Sequence, residues 1–245
     1  MNLNDYKGIV MPRKPRILLP GQPVHVIQRG NNRIATFYAE EDYRFYLGCL
    51  KGASERYQCT IHAYVLMTNH VHLLVTPSTE TALSRVMQSV GRKYVRYINH
   101  SYQRTGTLWE GRFKASLIYD EDYFLICSKY IELNPVRAGM VDEPDAYHWS
   151  SYSHNALAVI DHLIQPHDLY LALGSTDTER AQRYRALFKT HISTDAVQSI
   201  RTAANKDQVL GNDKFKDEVE EMLNRKIRDY THGGDRKSDA FKQTQ

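Results

Sequence analysis

Hydrophobic and polar residues alternate most regularly in residues 68–75, and this alternation predicts a β-strand with two unlike faces. One face would be apolar and formed by Val71, Leu73 and Val75. Because side chains alternate along a strand, His70 and His72 would share the other face, about 6.6 Å apart along the strand. Two imidazoles at this spacing can bind one divalent cation, although a half-buried strand with two polar side chains also fits the pattern.

Hydrophobic periodicity predicts strands and helices in turn before residue 150. Further strands are expected at residues 23–29, at 60–67 and in a segment that ends at 119. Helices are expected at residues 40–57, in the segment after Pro77 and at 120–133. The resulting order, β-α-β-β-α-β-α, predicts an α+β fold with a ferredoxin-like antiparallel sheet.

The pattern changes after residue 152 to short helical segments, expected at 166–172, 177–188, 195–203 and 213–228. We therefore expect a main domain at 12–155 and a small helical C-terminal extension at 156–230. The polar residues 231–245 are expected to be disordered.

Composition narrows the class of protein. A hydrophobic fraction of 42% and a charged fraction of 24% are typical of a globular chain. No apolar run is long enough to predict a membrane span or a signal peptide. The three cysteines have no CxxC spacing and are an odd number, which favours reduced thiols and a cytoplasmic protein. There is no internal repeat and no glycine-rich phosphate loop.

The positive charge is unevenly distributed. Residues 6–39 and residues 81–109 contain Lys and Arg but no Asp or Glu. Two acid-free basic stretches on either side of a possible metal-binding strand favour a polyanionic partner such as nucleic acid. The alternative is a solvated positive surface without a specific partner.

A third segment with chemical potential is residues 129–135. Tyr130 and Asn134 are four residues apart, so both would lie on one face of the predicted helix. Tyr130 offers a phenol that can act as a nucleophile, and Asn134 offers a carbonyl oxygen that suits Mg²⁺ or Mn²⁺. A chain with 17 tyrosines places most of them in structural positions, so Tyr130 alone is a weak signal.

Together, the His70-Val71-His72 strand and the Tyr130-x-x-x-Asn134-Pro135 segment resemble the single-tyrosine HUH transposases. More narrowly, they resemble the REP-associated tyrosine transposases. Matching segments of lower specificity are Trp109-Glu-Gly-Arg112-Phe113, residues 134–139 and residues 149–152. The resemblance covers residues 12–152 and implies an HUH nuclease fold.

The resemblance implies a Mg²⁺- or Mn²⁺-dependent enzyme that nicks and rejoins single-stranded DNA at imperfect hairpins. His70 and His72 would bind the ion with Asn134 as third ligand, where insertion-sequence relatives use Gln. Tyr130 would form a 5′-phosphotyrosine link and release a 3′-hydroxyl. Contacts to DNA phosphates are expected, by charge, from Arg13, Lys14, Arg16, Arg92, Lys93, Arg96 and Arg112.

Two other functions remain open at this point. One is a DNA- or RNA-binding regulator that keeps the fold without turnover. The other is a zinc-dependent hydrolase, although the sequence lacks an HExxH or cysteine-rich zinc motif. The oligomeric state is also open, because insertion-sequence relatives exchange the tyrosine helix in homodimers whereas the REP-associated branch acts as monomers.

Overall fold

The computed structural model describes residues 16–118 and 121–227. Predictions for Arg13, Lys14 and the disordered tail at 231–245 fall outside the described residues. The strands are β1 (Val24–Arg29), β2 (Cys59–Met67), β3 (His70–Pro77) and β4 (Lys114–Leu117). The helices up to residue 137 are α1 (Glu40–Tyr57), α2 (Ala82–Ser101), α3 (Glu121–Glu132) and α4 (Asn134–Arg137).

The strands form an antiparallel sheet in the order β2-β3-β1-β4. Met67 pairs with His70, so a two-residue turn connects β2 to β3 as a hairpin. β1 lies between β3 and β4, as the β-α-β-β-α-β order of a ferredoxin-like fold requires. The predicted α+β class and antiparallel sheet are therefore confirmed.

Helices α1 and α2 cover one side of the sheet. Tyr46, Leu50 and Tyr94 are fully buried there against the apolar face of β3. The Asp42 carboxylate accepts hydrogen bonds from the backbone N–H groups of Tyr38 and Ala39, at 2.8 and 3.0 Å. These contacts satisfy donors at the start of α1, and this helix begins and ends where the sequence pattern predicted.

Helix α3 covers the other side of the sheet, against Ala63, Val65 and Leu74. It ends at Glu132, and the chain continues into α4, which contains Pro135 in its first turn. Proline is tolerated at that place because a first-turn N–H has no helical acceptor. The proline therefore ends one helix, as expected from the sequence, and begins a second short one.

The remaining described helices are α5 (Tyr152–Leu157), α6 (Asp168–Leu171), α7 (Asp177–Ala186), α8 (Thr194–Lys206) and α9 (Asp213–Leu223). Leu210 N–H donates to Leu117 O at 2.8 Å, and Ala115 N–H donates to the Asp207 carboxylate at 2.7 Å. The extension thus covers the open edge of β4. The domain boundary predicted between residues 155 and 156 falls within α5, and it stays a prediction. Among the described residues, no helix has the length and apolar character needed to cross a membrane.

Candidate active site

His70 and His72 lie on the face of β3 that is turned toward α3, with ring centroids 5.0 Å apart. His70 Nδ1–H donates to Asn69 Oδ1 at 2.6 Å. Asn69 Nδ2 donates to Arg33 O at 3.0 Å, which fixes the amide so that its oxygen faces the imidazole. The Nε2 lone pair of His70 is therefore left available to an ion.

A third histidine, from the neighbouring strand β1, contacts the pair. His25 of β1 lies diagonally across from His72, and its Nε2 is 2.9 Å from His72 Nδ1. When His72 Nδ1–H donates to His25, the Nε2 lone pair of His72 is free, as it is in His70. Metal-binding histidines commonly hold their second ring nitrogen in this way, because that contact fixes the ring and its tautomer.

The three imidazoles are held in the neutral form. Burial lowers the pKa of His25 to about 3, and burial together with the nearby Arg29 lowers the pKa of His70 to about 4. Burial and the neighbouring His25 hold the pKa of His72 well below its ordinary value. Neutral imidazole is the form that coordinates a cation, so this environment suits the predicted ligands.

Tyr130 lies on α3 directly above these histidines. Its ring is edge-on to His72 and His25, with centroid distances of 6.1 and 6.0 Å. The Arg137 guanidinium lies over the same ring, 4.5 Å from its centroid. Only 5% of Tyr130 is exposed, so packing holds the phenol in a fixed position beside the histidine pair.

Asn134 begins α4 one turn beyond Tyr130. Its Nδ2 donates to the backbone oxygens of Tyr130 and Ile131, at 2.9 and 3.2 Å. With the amino group occupied, the amide oxygen is the free end of this side chain. Two neutral imidazoles and an amide oxygen are ligands that fit Mg²⁺ or Mn²⁺.

The ligand set also limits the alternatives. In the described ranges, no group of three or more His, Cys, Asp and Glu side chains could hold a metal ion. A third protein ligand for an ion at His70 and His72 would therefore be of another type, and Asn134 is the predicted one. A zinc site of the usual His, Cys and carboxylate ligands is not formed by these residues.

The basic residues that were predicted to contact DNA lie in different parts of the fold. Arg16 donates to Phe113 O at 2.7 Å from Nη2 and stacks 3.7 Å from the Phe113 ring centroid, and burial lowers its pKa. Arg112 is exposed on the loop before β4. Arg92, Lys93 and Arg96 are exposed on α2, which packs on the opposite side of the sheet from His70. The structure therefore does not bring the α2 cations to the histidine pair.

Two residues at the site were missed by sequence reasoning. The spacing of two residues between His25, Ile27 and Arg29 could have placed all three on one face of β1. The contact of His25 with His72 depends on the register between β1 and β3, which the sequence pattern does not specify. Arg137 lies in the matched 134–139 segment, but only the turn between α3 and α4 brings its guanidinium back over Tyr130.

Comparison with protein families decides the class. The family described as "Transposase IS200 like" matches residues 21–134, which include His70, His72, Tyr130 and Asn134. Over residues 21–134, this chain is therefore similar to the IS200-like transposases. The resemblance predicted from the histidine and tyrosine motifs is therefore confirmed over these residues.

Solved structures add the fold. A REP-associated tyrosine transposase, solved bound to a REP hairpin, aligns at a TM-score of 0.52 and 17% identity. The alignment covers 65% of this chain and 93% of that chain, and it confirms the predicted HUH fold.

Two further structures align less closely. A candidate transposase from Deinococcus radiodurans R1 aligns at 0.35, with 19% identity and coverage of 49% and 95%. A bacterial tRNA(His) guanylyltransferase-like protein in complex with GTP aligns at 0.34, with 13% identity and coverage of 53% and 73%. Comparison with curated proteins finds no significant match.

Proposed function

We propose that this chain is a metal-dependent enzyme of the REP-associated branch that nicks and rejoins single-stranded DNA beside a hairpin. The observation that supports it is the position of Tyr130, whose ring lies 6.1 Å from the ring of His72. A nucleophile next to a pair of possible metal ligands is the arrangement that phosphoryl transfer needs. The hairpin substrate is proposed by analogy with the hairpin in the related structure.

His70 and His72 would hold a divalent ion through Nε2, with Asn134 Oδ1 as the third protein ligand. When bound, the ion would polarise the scissile phosphate and offset its negative charge. Asn69 and His25 would keep the two imidazoles in the tautomer that this requires.

Tyr130 would lose its phenolic proton and attack phosphorus through the phenolic oxygen. The bond to the 3′-oxygen breaks, that oxygen leaves as a 3′-hydroxyl after taking up a proton, and the 5′-phosphate stays on Tyr130. Attack by the same or another 3′-hydroxyl reverses the step and reseals a strand. The phosphodiester energy is kept in the protein–DNA link, so no ATP is needed. Arg137, whose guanidinium lies 4.5 Å from the centroid of the Tyr130 ring, would offset negative charge on the phosphoryl oxygens.

The nucleophile is tested with a hairpin oligonucleotide and Mg²⁺ or Mn²⁺. The wild-type chain should form a protein–DNA adduct that survives denaturation and gel electrophoresis. Tyr130→Phe should form none, while Tyr123→Phe on the same helix should retain the adduct. Adduct formation by Tyr130→Phe would show that another residue is the nucleophile.

The metal site is tested by His70→Ala and His72→Ala combined, which should abolish cleavage and keep hairpin binding. A regulator without turnover would instead bind hairpin DNA with no adduct across Mg²⁺, Mn²⁺, Co²⁺ and Zn²⁺. Retained cleavage by the double variant in Mg²⁺ would contradict the metal assignment.

A further inference from the structure

A basic cavity of about 240 Å³ opens beside the histidine pair, between β1, the loop before β4 and helix α8. Four exposed cations and one acid line it: Arg29, Arg33, Arg112, Lys114 and Glu110. Within residues 16–118 and 121–227, none of the four cations forms an ion pair. The excess positive charge in this cavity is therefore not neutralised by the described protein.

The cavity lies on the same face of the sheet as the candidate active site. Arg29 is paired with His70 across β1 and β3, so the two side chains are neighbours. Ile27 is paired with His72 on one side and with Lys114 on the other. A row of side chains thus leads from His72, across β1, into the cavity.

The lining indicates what kind of group would bind. Four cations that converge on one small space repel each other, and an anion there would relieve the repulsion. Arginine donors are suited to phosphate oxygens because the guanidinium can donate two parallel hydrogen bonds. The volume is below the roughly 300–1,000 Å³ of common small-molecule sites, which suits a single backbone phosphate with its sugar.

We propose that this cavity is a phosphate subsite for the single-stranded flank of the DNA hairpin, next to the scissile phosphate. The proposal rests on the DNA-nicking function proposed above. Arg33 and Arg112 would bind the phosphate oxygens, and Arg29 would link the subsite to the histidine pair.

The C-terminal extension takes part in this subsite through Asn205 of α8. Lys114 Nζ donates to Asn205 Oδ1 at 3.2 Å, which orients the ammonium group at the wall of the cavity. The same part of the extension is fixed to β4 by the Asp207 carboxylate. The extension therefore covers the sheet edge and also shapes a DNA contact.

The subsite is tested by equilibrium binding in the Tyr130→Phe background without metal, so that no strand is cut. The probes are hairpin oligonucleotides with a single-stranded flank, in which one flank phosphate at a time is a neutral methylphosphonate. In the parent protein, one position should weaken binding about tenfold, as expected for a lost charge-assisted contact. In Arg33→Gln/Arg112→Gln, this penalty at the same position should fall to about twofold or less.

A matched control is Arg92→Gln/Lys93→Gln, which removes two exposed cations from α2. It should weaken binding overall and leave the methylphosphonate penalty unchanged. A penalty that persists in Arg33→Gln/Arg112→Gln, or that is absent at every position of the parent, would overturn the subsite. Absence of a covalent adduct in the wild type would instead count against the nicking function, because these binding measurements need no cleavage.

The extension's part is tested by Asn205→Asp, which places a carboxylate beside Lys114. It should weaken binding of the all-phosphate probe about tenfold and binding of the methylphosphonate probe much less. Gln198→Glu, an exposed position of the same helix outside the cavity, adds the same charge and should change neither value appreciably. Equal effects of the two variants on both probes would remove Asn205 from the subsite.

Discussion

At the scale of single residues, the site depends on how each imidazole is held. His70 is oriented by Asn69, and His72 is oriented by His25, so each ring has one nitrogen in a protein contact. Both of these contacts are made through Nδ1. The Nε2 atoms of His70 and His72 are therefore the two nitrogens that remain for an ion. The orienting residues therefore belong to the proposed site together with the two histidines of the motif.

His25→Phe should weaken Mn²⁺ binding by about 10- to 100-fold, the range found when a contact behind a metal-binding histidine is lost. An aromatic ring is kept, but the Nε2 atom that contacts His72 Nδ1 is gone. Titration calorimetry or the Mn²⁺ EPR signal gives the affinity without a DNA substrate. His62→Phe, which replaces another buried histidine of the sheet, should leave the affinity unchanged. Unchanged affinity in His25→Phe would show that His72 is oriented by other contacts.

His62 should make stability depend on pH. It bonds to Gln165 O and Thr76 Oγ1, and burial lowers its pKa to about 4, with a lesser lowering by His167 and an opposing effect of Asp168. The unfolded chain binds a proton near pH 6.5 and the folded chain does not. Stability from neutral His62 is therefore complete above that pH and is lost as the pH falls toward 4.

The measurement compares urea unfolding of the wild type and His62→Gln at pH 7.5 and pH 5.0. The free-energy difference between the two proteins should narrow by about 2 kcal/mol at the lower pH. Because His25 and His70 remain in both proteins, their own titration cancels in this difference. A difference that stays constant with pH would mean that His62 is protonated in the folded state.

At the scale of elements, the sequence predicted which segments form and left open how they meet. The bounds of α1 and the strand positions followed from periodicity and from turn residues, which are local properties of the chain. The predicted ferredoxin-like fold implies that β1 lies between β3 and β4, but it does not fix the register of these pairs. The contact of His25 with His72 and the basic cavity depend on that register, so they could not be derived. Tyr130 and Asn134 were found because their helical spacing is local, and their family resemblance gave them a role.

Helix α2 carries a second basic surface, formed by Arg92, Lys93 and Arg96 on the far side of the sheet from the active site. We expect it to contact the hairpin at a distance from the cleaved strand. Changing all three to Gln should lower hairpin affinity at low salt. The slope of log K against log salt should also fall by about one for each phosphate contact that is lost.

The control for this surface is Arg183→Gln/Arg185→Gln on α7, which removes exposed charge from the extension. It should leave the salt slope close to that of the wild type. An unchanged slope in the α2 variant would show that this helix is a solvated surface and that DNA binds elsewhere.

At the scale of the whole molecule, one chain brings together both halves of the proposed active site. The ring of Tyr130 lies against His72 of the same chain, so no exchange of α3 between subunits is needed. A mixture of Tyr130→Phe with the His70→Ala/His72→Ala protein should therefore form no DNA adduct. Recovery of adduct in the mixture would show that a dimer exchanges the tyrosine helix.

The extension is joined to the sheet domain by buried polar contacts as well as by apolar ones. Tyr184 of α7 donates a hydrogen bond to the buried Glu132 carboxylate of α3 at 2.8 Å, and Ser151 and Asn155 of the main domain donate to the same carboxylate at 2.5 and 2.8 Å. Ile200 of α8 is fully buried in the cluster that includes Tyr130. Contacts of this kind predict that the extension and the sheet unfold together.

The two tryptophans, Trp109 and Trp149, both precede the extension and pack in clusters that also contain residues of the extension. Their fluorescence therefore follows the unfolding of the sheet domain and of its contacts with the extension. Ile200→Ala should destabilise the chain by about 2–5 kcal/mol through the cavity it leaves, and the tryptophan transition in urea should shift accordingly. Arg201→Ala, exposed on the same helix, should change stability by less than about 0.5 kcal/mol. A tryptophan transition that is the same in Ile200→Ala as in the wild type would mean that residues 156–227 unfold independently. Since Ile200 packs in the cluster that holds Tyr130, we expect instead one transition that also sets the stability of the active site.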